Sequence, residues 1–217
     1  MEKPLKGFFV TLEGGEGSGK TTLLHRLKDD LENEGHSVLL TFEPGCSEIG
    51  KQIRLWILEE SQNHPLEPLA ELMLFLADRA QHIHECIRPA LEEGKIVLCD
   101  RFTDSTVAYQ GFARGLDVPR VQEICELVSG YVKPFLTIFL DVEPVVGLER
   151  TRQATKSGKM DRIESESVEF HKQIHKGFHW LHEQEPQRIV LVDANKPIEE
   201  VHQEAKTLIF DRIKEYV

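Results

Sequence analysis

Gly14-Gly15-Glu16-Gly17-Ser18-Gly19-Lys20-Thr21 follows the apolar run Phe8-Phe9-Val10-Thr11-Leu12, with Glu13 alone between them. The run is short and shows no polar alternation, so it reads as a strand buried on both faces. Downstream, Leu23, Leu24, Leu27 and Leu31 recur at helical spacing, and Gly35 supplies a stop. A buried strand before and an amphipathic helix after are the context that makes Gly14-x-x-x-x-Gly19-Lys20-Thr21 a phosphate-binding loop. Its glycines let backbone N–H groups turn inward around an anion, and the helix adds its positive end. Lys20 is placed to reach the β- and γ-phosphates of a nucleoside triphosphate, and Thr21 to set its hydroxyl on Mg²⁺. The nucleotide-binding candidates are thus Gly14, Gly15, Glu16, Gly17, Ser18, Gly19, Lys20, Thr21 and Thr22.

Working outward, Val38–Phe42 is a second strand, cut off by Glu43-Pro44-Gly45, and Ile96–Cys99 a third, ending in Asp100-Arg101. Phe135–Leu140 is a fourth, ending in Asp141, and Arg188–Val192 a fifth. Helical patterns fill the intervals: Ile49–Leu58, Pro68 to about Leu91, a start near Ser105, Val118–Val128, a stretch to about Gln153, Glu164–His182 and Ile198–Tyr216. Short apolar strands alternating with helices predict an α/β fold, a five-stranded parallel sheet sandwiched by helices. A chain of 217 residues builds one core, so residues 1–217 are read as a single domain. A strand that ends in an aspartate puts a carboxylate at the sheet edge where the phosphate loop lies. Asp100 is therefore the second candidate Mg²⁺ residue, helix capping being its plain alternative. Arg101 offers a fork suited to phosphate. Asp141 is expected to cap the helix that follows it.

The composition, 40% hydrophobic and 29% charged, is that of an ordinary globular protein, and the net charge of -11 speaks against non-specific nucleic-acid binding. Gly7–Leu12 is too short for a signal peptide and no later run spans a bilayer, so no membrane partner is expected and cytoplasmic residence is the default. The four cysteines lack metal-binding spacing, and Cys99 reads as a small buried hydrophobe. His171, His175 and His179 recur every four residues, with Glu183 next on the stripe. Such spacing suits a metal, but with no buried surroundings evident the stripe is read as structural.

Several blocks together resemble the thymidylate kinase family, in its bacterial type, over nearly the whole chain. They are Leu12–Thr22; Glu43-Pro44-Gly45; Phe75-Leu76-Ala77-Asp78-Arg79-Ala80-Gln81-His82; Asp100-Arg101-Phe102 with Ser105 and Ala108-Tyr109-Gln110-Gly111; Asp161-Arg162-Ile163-Glu164; and Asp193-Ala194. The resemblance implies a phosphate-loop nucleoside monophosphate kinase that moves the γ-phosphoryl group of ATP to dTMP, giving dTDP and ADP for dTTP synthesis, with Mg²⁺ as cofactor. It implies that Phe75 stacks on thymine, Arg79 bonds its polar edge, and Ser105 and Gln110 reach the base. By the same resemblance Arg101 holds the acceptor phosphate, Tyr109 lies beneath the deoxyribose, Glu16 holds the 3'-hydroxyl, and Pro44 lines the acceptor side. Residues from about 150 to 162 resemble a short lid in which Arg150 and Ala194 flank adenine, Arg152 contacts phosphate and Asp161 orders the segment. The catalytic set implied is Lys20, Arg101, Arg152 and Asp100, with Thr21 and Asp100 on the metal. The family's homodimer is a further expectation. Phe42 and Cys46 depart from the family pattern around the Glu-Pro-Gly turn, and Thr155-Lys156-Ser157-Gly158-Lys159 lengthens the lid. Phe178 is read as core.

The chemistry is compatible with that reading, because a phosphate oxygen already ionised near neutral pH needs positioning and charge neutralisation more than a strong base. Alternatives left open are a UMP/CMP or broad-specificity monophosphate kinase, a deoxynucleoside kinase using Glu13 or Glu16 as base, and a non-enzymatic nucleotide switch.

Overall fold

The computed structural model describes residues 5–59, 65–130, 132–154 and 160–216; the expected lid residues Thr155–Lys159 lie outside them. Five strands, β1 (Phe8–Glu13), β2 (Val38–Phe42), β3 (Ile96–Asp100), β4 (Leu136–Asp141) and β5 (Ile189–Asp193), form one sheet in the order β2-β3-β1-β4-β5. Every pairing is parallel, with Val10 opposite Leu98 on one side and Leu136 on the other. β1 is buried along its whole length, as its unbroken apolar run requires. The α/β architecture expected from the sequence is the one observed.

Helices α1 (Lys20–Asn33) and α9 (Ile198–Tyr216) cover one face. There Leu23, Leu27 and Leu31 pack with Val10, Leu12, Ile138, Val201 and Ala205. The other face takes α8 (Val168–Gln184) with α2 (Glu48–Leu58), α3 (Pro68–His82) and α6 (Val118–Ser129). Phe178 is a core residue here, its ring stacked 5.2 Å from that of Phe139. A third apolar group, Phe9, Ile87, Leu91, Val97, Cys99 and Phe102, seats the helical stretch after α3, including α4 (Arg88–Glu92). No helix among the described residues is long and apolar enough to cross a membrane.

Two helix boundaries differ from the periodic reading. α8 begins at Val168 and not at Glu164, because Ser167 caps it by accepting from Phe170 N at 3.2 Å. Upstream, Asp161 Oδ1 accepts from the backbone N–H groups of Ile163 and Glu164, each at 2.8 Å, and winds residues 161–166 into turns. The helix expected near Ser105 starts at Thr103 as α5 (Thr103–Thr106) and continues as a π-helical segment, Val107–Ala113.

The site's position follows from topology. α1 carries the chain from β1 towards the β2 edge, whereas α5 and α6 carry it from the neighbouring β3 across to β4. Connections that leave adjacent strands in opposite directions open a crevice outside their carboxyl ends. The Gly14–Thr21 loop and Asp100 both sit there.

Candidate active site

The crevice holds a cavity of ≈ 710 Å³. Glu16 to Thr22 line one end of it, with Asp100 and Arg101 between that end and a wall made by Pro44, Phe75, Arg79, Ser105, Tyr109 and Gln110. Gly14 and Gly15 lie behind the loop, where their carbonyls accept from Lys20 Nζ at 3.1 and 2.9 Å. Lys20 thus lies along the loop that its ammonium would share with phosphate oxygens. Burial, then the Arg101 charge, pull its pKa down to about 8. Gly17 has φ +65°, and a Cβ there would stand 2.0 Å from Gly147 O; only glycine lets the loop lie against α7 (Pro144–Ala154).

Thr21 and Asp100 come together as expected: Thr21 Oγ1 donates to Asp100 Oδ2 at 3.1 Å. Asp100 Oδ1 is buried and accepts no hydrogen bond among the described residues. An anionic oxygen left free beside a hydroxyl and a phosphate nest fits a hydrated Mg²⁺.

Glu16 points inward. Its Oε1 accepts from Arg101 Nη2 at 2.8 Å and from Tyr109 O–H at 2.7 Å. Burial alone would raise this carboxyl, but Arg101, then Lys20, hold it down at about 2. Arg101, in a left-handed backbone conformation of φ 69°, also donates to Gly14 O at 2.9 Å and to Ser105 Oγ at 3.3 Å, and its guanidinium lies 5.0 Å from the Tyr109 ring centre. One arginine therefore ties the phosphate loop to the wall formed by α5 and the π-helical segment. Glu13 lies beneath this knot, fully buried, accepting from Phe102 N at 2.7 Å and from the Ser105 hydroxyl. Burial and then Asp104 push its carboxyl up to about 8.

The far wall differs in one respect from expectation. Phe75 is half-buried and lines the cavity, but Arg79 is 2% exposed and its fork is taken. Nε donates to Glu43 Oε2 at 2.9 Å, Nη1 to Thr106 Oγ1 at 2.8 Å and Nη2 to Phe102 O at 2.9 Å. The partner a buried guanidinium must have is Glu43, brought in by the turn after β2. Gln110 is held likewise, its amide donating to Glu71 Oε1 at 2.8 Å, which leaves its carbonyl as the free acceptor.

The arginines of residues 150–162 separate. Arg150 lines the cavity and donates to Ala194 O at 2.9 Å, so those two meet as anticipated. Arg152, expected on phosphate, is exposed and is not among the lining residues. Two residues along a helix are about 200° apart, so α7 cannot turn both arginines inward. Arg162 is anchored away from the cavity by Ile57 O at 2.9 Å and by Glu71. Asp161 does line it.

Asp141 does not take the capping role assigned to it. His175 Nε2 approaches its Oδ1 at 2.6 Å and His179 Nε2 at 3.3 Å, so it anchors β4 to α8. The histidine stripe is thereby divided, since His171 points into the interior and is 4% exposed.

Sequence reasoning missed Glu43, Glu71 and Arg54. Arg54 lines the cavity and donates to Pro44 O at 2.8 Å, and nothing in the local pattern marks it. Glu71 had a signal: a carboxylate beside Leu72 on an apolar helical face needs buried cations, and Arg114 and Arg162 supply them.

Comparisons with known proteins agree with this architecture. A sequence model described as thymidylate kinase matches residues 12–205. The chain is 52% identical over 204 residues to a thymidylate kinase of Protochlamydia amoebophila, covering 92% of this chain and 91% of that protein. It is 43% identical to one from Deinococcus radiodurans, covering 95% and 98%. The crystal structure of thymidylate kinase from Ehrlichia chaffeensis superposes with a TM-score of 0.75 at 32% identity, covering 94% of this chain and 98% of that one. With the match running from β1 into α9, the chain belongs to the thymidylate kinase family.

Proposed function

We propose that the protein transfers the γ-phosphoryl group of ATP to dTMP, releasing dTDP and ADP. The observation that carries this reading is the Glu16–Arg101–Tyr109 knot, in which one carboxylate oxygen accepts from a guanidinium at 2.8 Å and from a tyrosine hydroxyl at 2.7 Å beside the phosphate loop. Lys20 and the loop N–H groups grip the donor phosphates, and Arg101 meets the acceptor phosphate. Tyr109 and Glu16 take the deoxyribose, and Phe75 the base. Thr21 and Asp100 would hold Mg²⁺, which would neutralise charge on the phosphate oxygens. Arg150, on the cavity side of α7, is a better phosphate or adenine ligand than Arg152.

Neither Glu13 nor Glu16 suits a general base. Glu13 is sealed from the cavity by its partners, and Glu16, at about 2, is a poor proton acceptor. That favours an acceptor already ionised over a nucleoside hydroxyl. We further propose a single kinase domain over residues 1–217 and a homodimer; exposed Trp56, Leu69, Met73 and Leu127 on α3 and on α2 and α6, which both pack against it, support the latter.

The test is an acceptor panel with ATP and Mg²⁺, read as ADP release. dTMP should exceed UMP and CMP in kcat/KM; equal use of UMP or CMP overturns the assignment, and hydrolysis without an acceptor favours an ATPase.

A further inference from the structure

Cys46 follows the turn that carries Glu43 and Pro44, and Cys86 sits in the π-helical segment Ile83–Ile87 that extends α3. The two sulfurs are 3.7 Å apart. Both side chains are partly exposed, whereas Cys99 and Cys125 are buried. The pair ends a chain of polar contacts. His82 Nδ1 lies 2.9 Å from Glu43 Oε1, His82 Nε2 lies 2.6 Å from Thr41 Oγ1, and Thr41 Oγ1 lies 3.0 Å from Cys46 Sγ.

Counting hydrogens along this chain gives two complete arrangements. In one, the Cys46 thiol donates to Thr41, Thr41 to a neutral His82, and His82 to Glu43. In the other, the thiol and hydroxyl hydrogens have each moved one step while that on Nδ1 stays: His82 donates from both nitrogens, and the Thr41 hydroxyl donates to a Cys46 thiolate. They differ by a proton shift from Cys46 through Thr41 to His82, and the buried Glu43 carboxylate stabilises the cationic end. His82 is 0% exposed, so this proton stays inside the protein. In agreement, hydrogen bonding to His82, opposed by burial, brings the Cys46 thiol down to about 7, while burial lifts Cys86 to about 11. Cys46, His82 and Cys86 lie close enough together to hold a soft cation, but Thr41 Oγ1 occupies the imidazole edge such an ion requires.

We propose that Cys46 and Cys86 form a dithiol modification site that hydrogen peroxide converts to an intramolecular disulfide, Cys46 attacking and Cys86 resolving. Cys46 Sγ attacks one peroxide oxygen, the O–O bond breaks, and the departing hydroxide becomes water with a proton from the Thr41 hydroxyl, which His82 replaces with the proton it held. Cys46 is left as a sulfenic acid. Cys86 Sγ then bonds to Cys46 Sγ, the S–O bond breaks, and hydroxide leaves with the Cys86 proton as a second water. Two thiols lose two electrons and one peroxide becomes two waters. An S–S bond of about 2.05 Å requires the sulfurs to close by roughly 1.7 Å. That pulls on the segment carrying Pro44, a cavity wall residue held by Arg54. Weakened acceptor binding follows, a consequence that rests on the acceptor reading above; the disulfide does not.

The test treats the full chain with a few equivalents of hydrogen peroxide, alkylates it, and maps peptides by mass. A linked Cys46–Cys86 peptide, lost on dithiothreitol treatment, is expected. The KM for dTMP should rise several-fold with that for ATP unchanged, both restored by reduction. Cys86→Ser should keep basal activity and accumulate a dimedone-reactive sulfenic acid at Cys46. Thr41→Val should slow iodoacetamide alkylation of Cys46 at pH 7 by about tenfold. Absence of the linked peptide, its formation through Cys99 or Cys125, or Cys46 alkylation no faster in the folded than in the urea-unfolded chain overturns the proposal. A linked peptide with unchanged KM overturns the effect on the acceptor wall alone.

Discussion

Arg101 and Glu16, 85 residues apart in sequence, meet at 2.8 Å across the crevice, and the same arginine grips the carbonyl of Gly14 two residues before its partner. The pair thus fixes a side chain to the loop that binds phosphate and to that loop's own backbone. Replacing Glu16 by Gln keeps the shape and removes the charge. A charge-assisted hydrogen bond is worth about 1.5–3 kcal/mol. The expected loss in kcat/KM for dTMP is therefore roughly 10- to 100-fold. With a 3'-deoxy acceptor the gap between variant and wild type should narrow, and steady-state kinetics with both acceptors checks this.

Lys20→Ala removes the ammonium from phosphates in transfer. A fall in kcat of about 10²–10³-fold is expected, the scale for deleting one preorganised electrostatic contact. Circular dichroism should remain that of the wild type. A variant with kcat within a factor of about three would show that Lys20 does not touch the transferring group.

Arg79 is now expected to matter for stability first. Arg79→Ala leaves Glu43 buried without its guanidinium, and breaking such a pair costs about 3–5 kcal/mol. Urea unfolding should report the loss, with any change in base selectivity measured only on the folded fraction.

Glu13 gives a pH signature. Its folded pKa, raised by burial and then Asp104 to about 8 from the ordinary 4.5, means that the folded chain keeps a proton the unfolded chain releases. Its contribution to stability is complete below about 4.5 and is lost as pH rises through 8. Glu13→Gln keeps the neutral form, so the variant should lose less thermal stability than wild type between pH 5 and 8. Parallel melting curves across that range would remove Glu13 as the source.

Gly17→Ala and Gly147→Ala form a pair. Each added Cβ would meet a backbone carbonyl, at 2.0 Å from Gly147 O and 2.2 Å from Glu16 O respectively. Both should raise the KM for ATP at least about tenfold, the result of a misplacement on the order of 1 Å. Fluorescent-nucleotide binding checks it.

Much of this was legible because it is local. β1, the Gly14–Thr21 loop and the α1 leucines are contiguous, and Asp100 is found by asking what ends a buried strand. What escaped was pairing at a distance. Nothing near Asp141 announces His175, and nothing near Arg79 announces that Glu43 will take its fork. Arg150 and Arg152 were separable by helical phase, but only once α7 was known to face the cavity with Arg150, Thr151 and Ala154.

Glu16 lies inside the eight residues that wrap the donor phosphates, and on the proposed reading it also grips the acceptor's sugar. Both substrates are then gauged from one short piece of backbone. The gap between donor and acceptor is set by covalent bond lengths and a few fixed dihedral angles, and does not depend on two separate bodies arriving in alignment. A change anywhere else in the molecule can alter how firmly each substrate is held, yet leave the ruler between them intact.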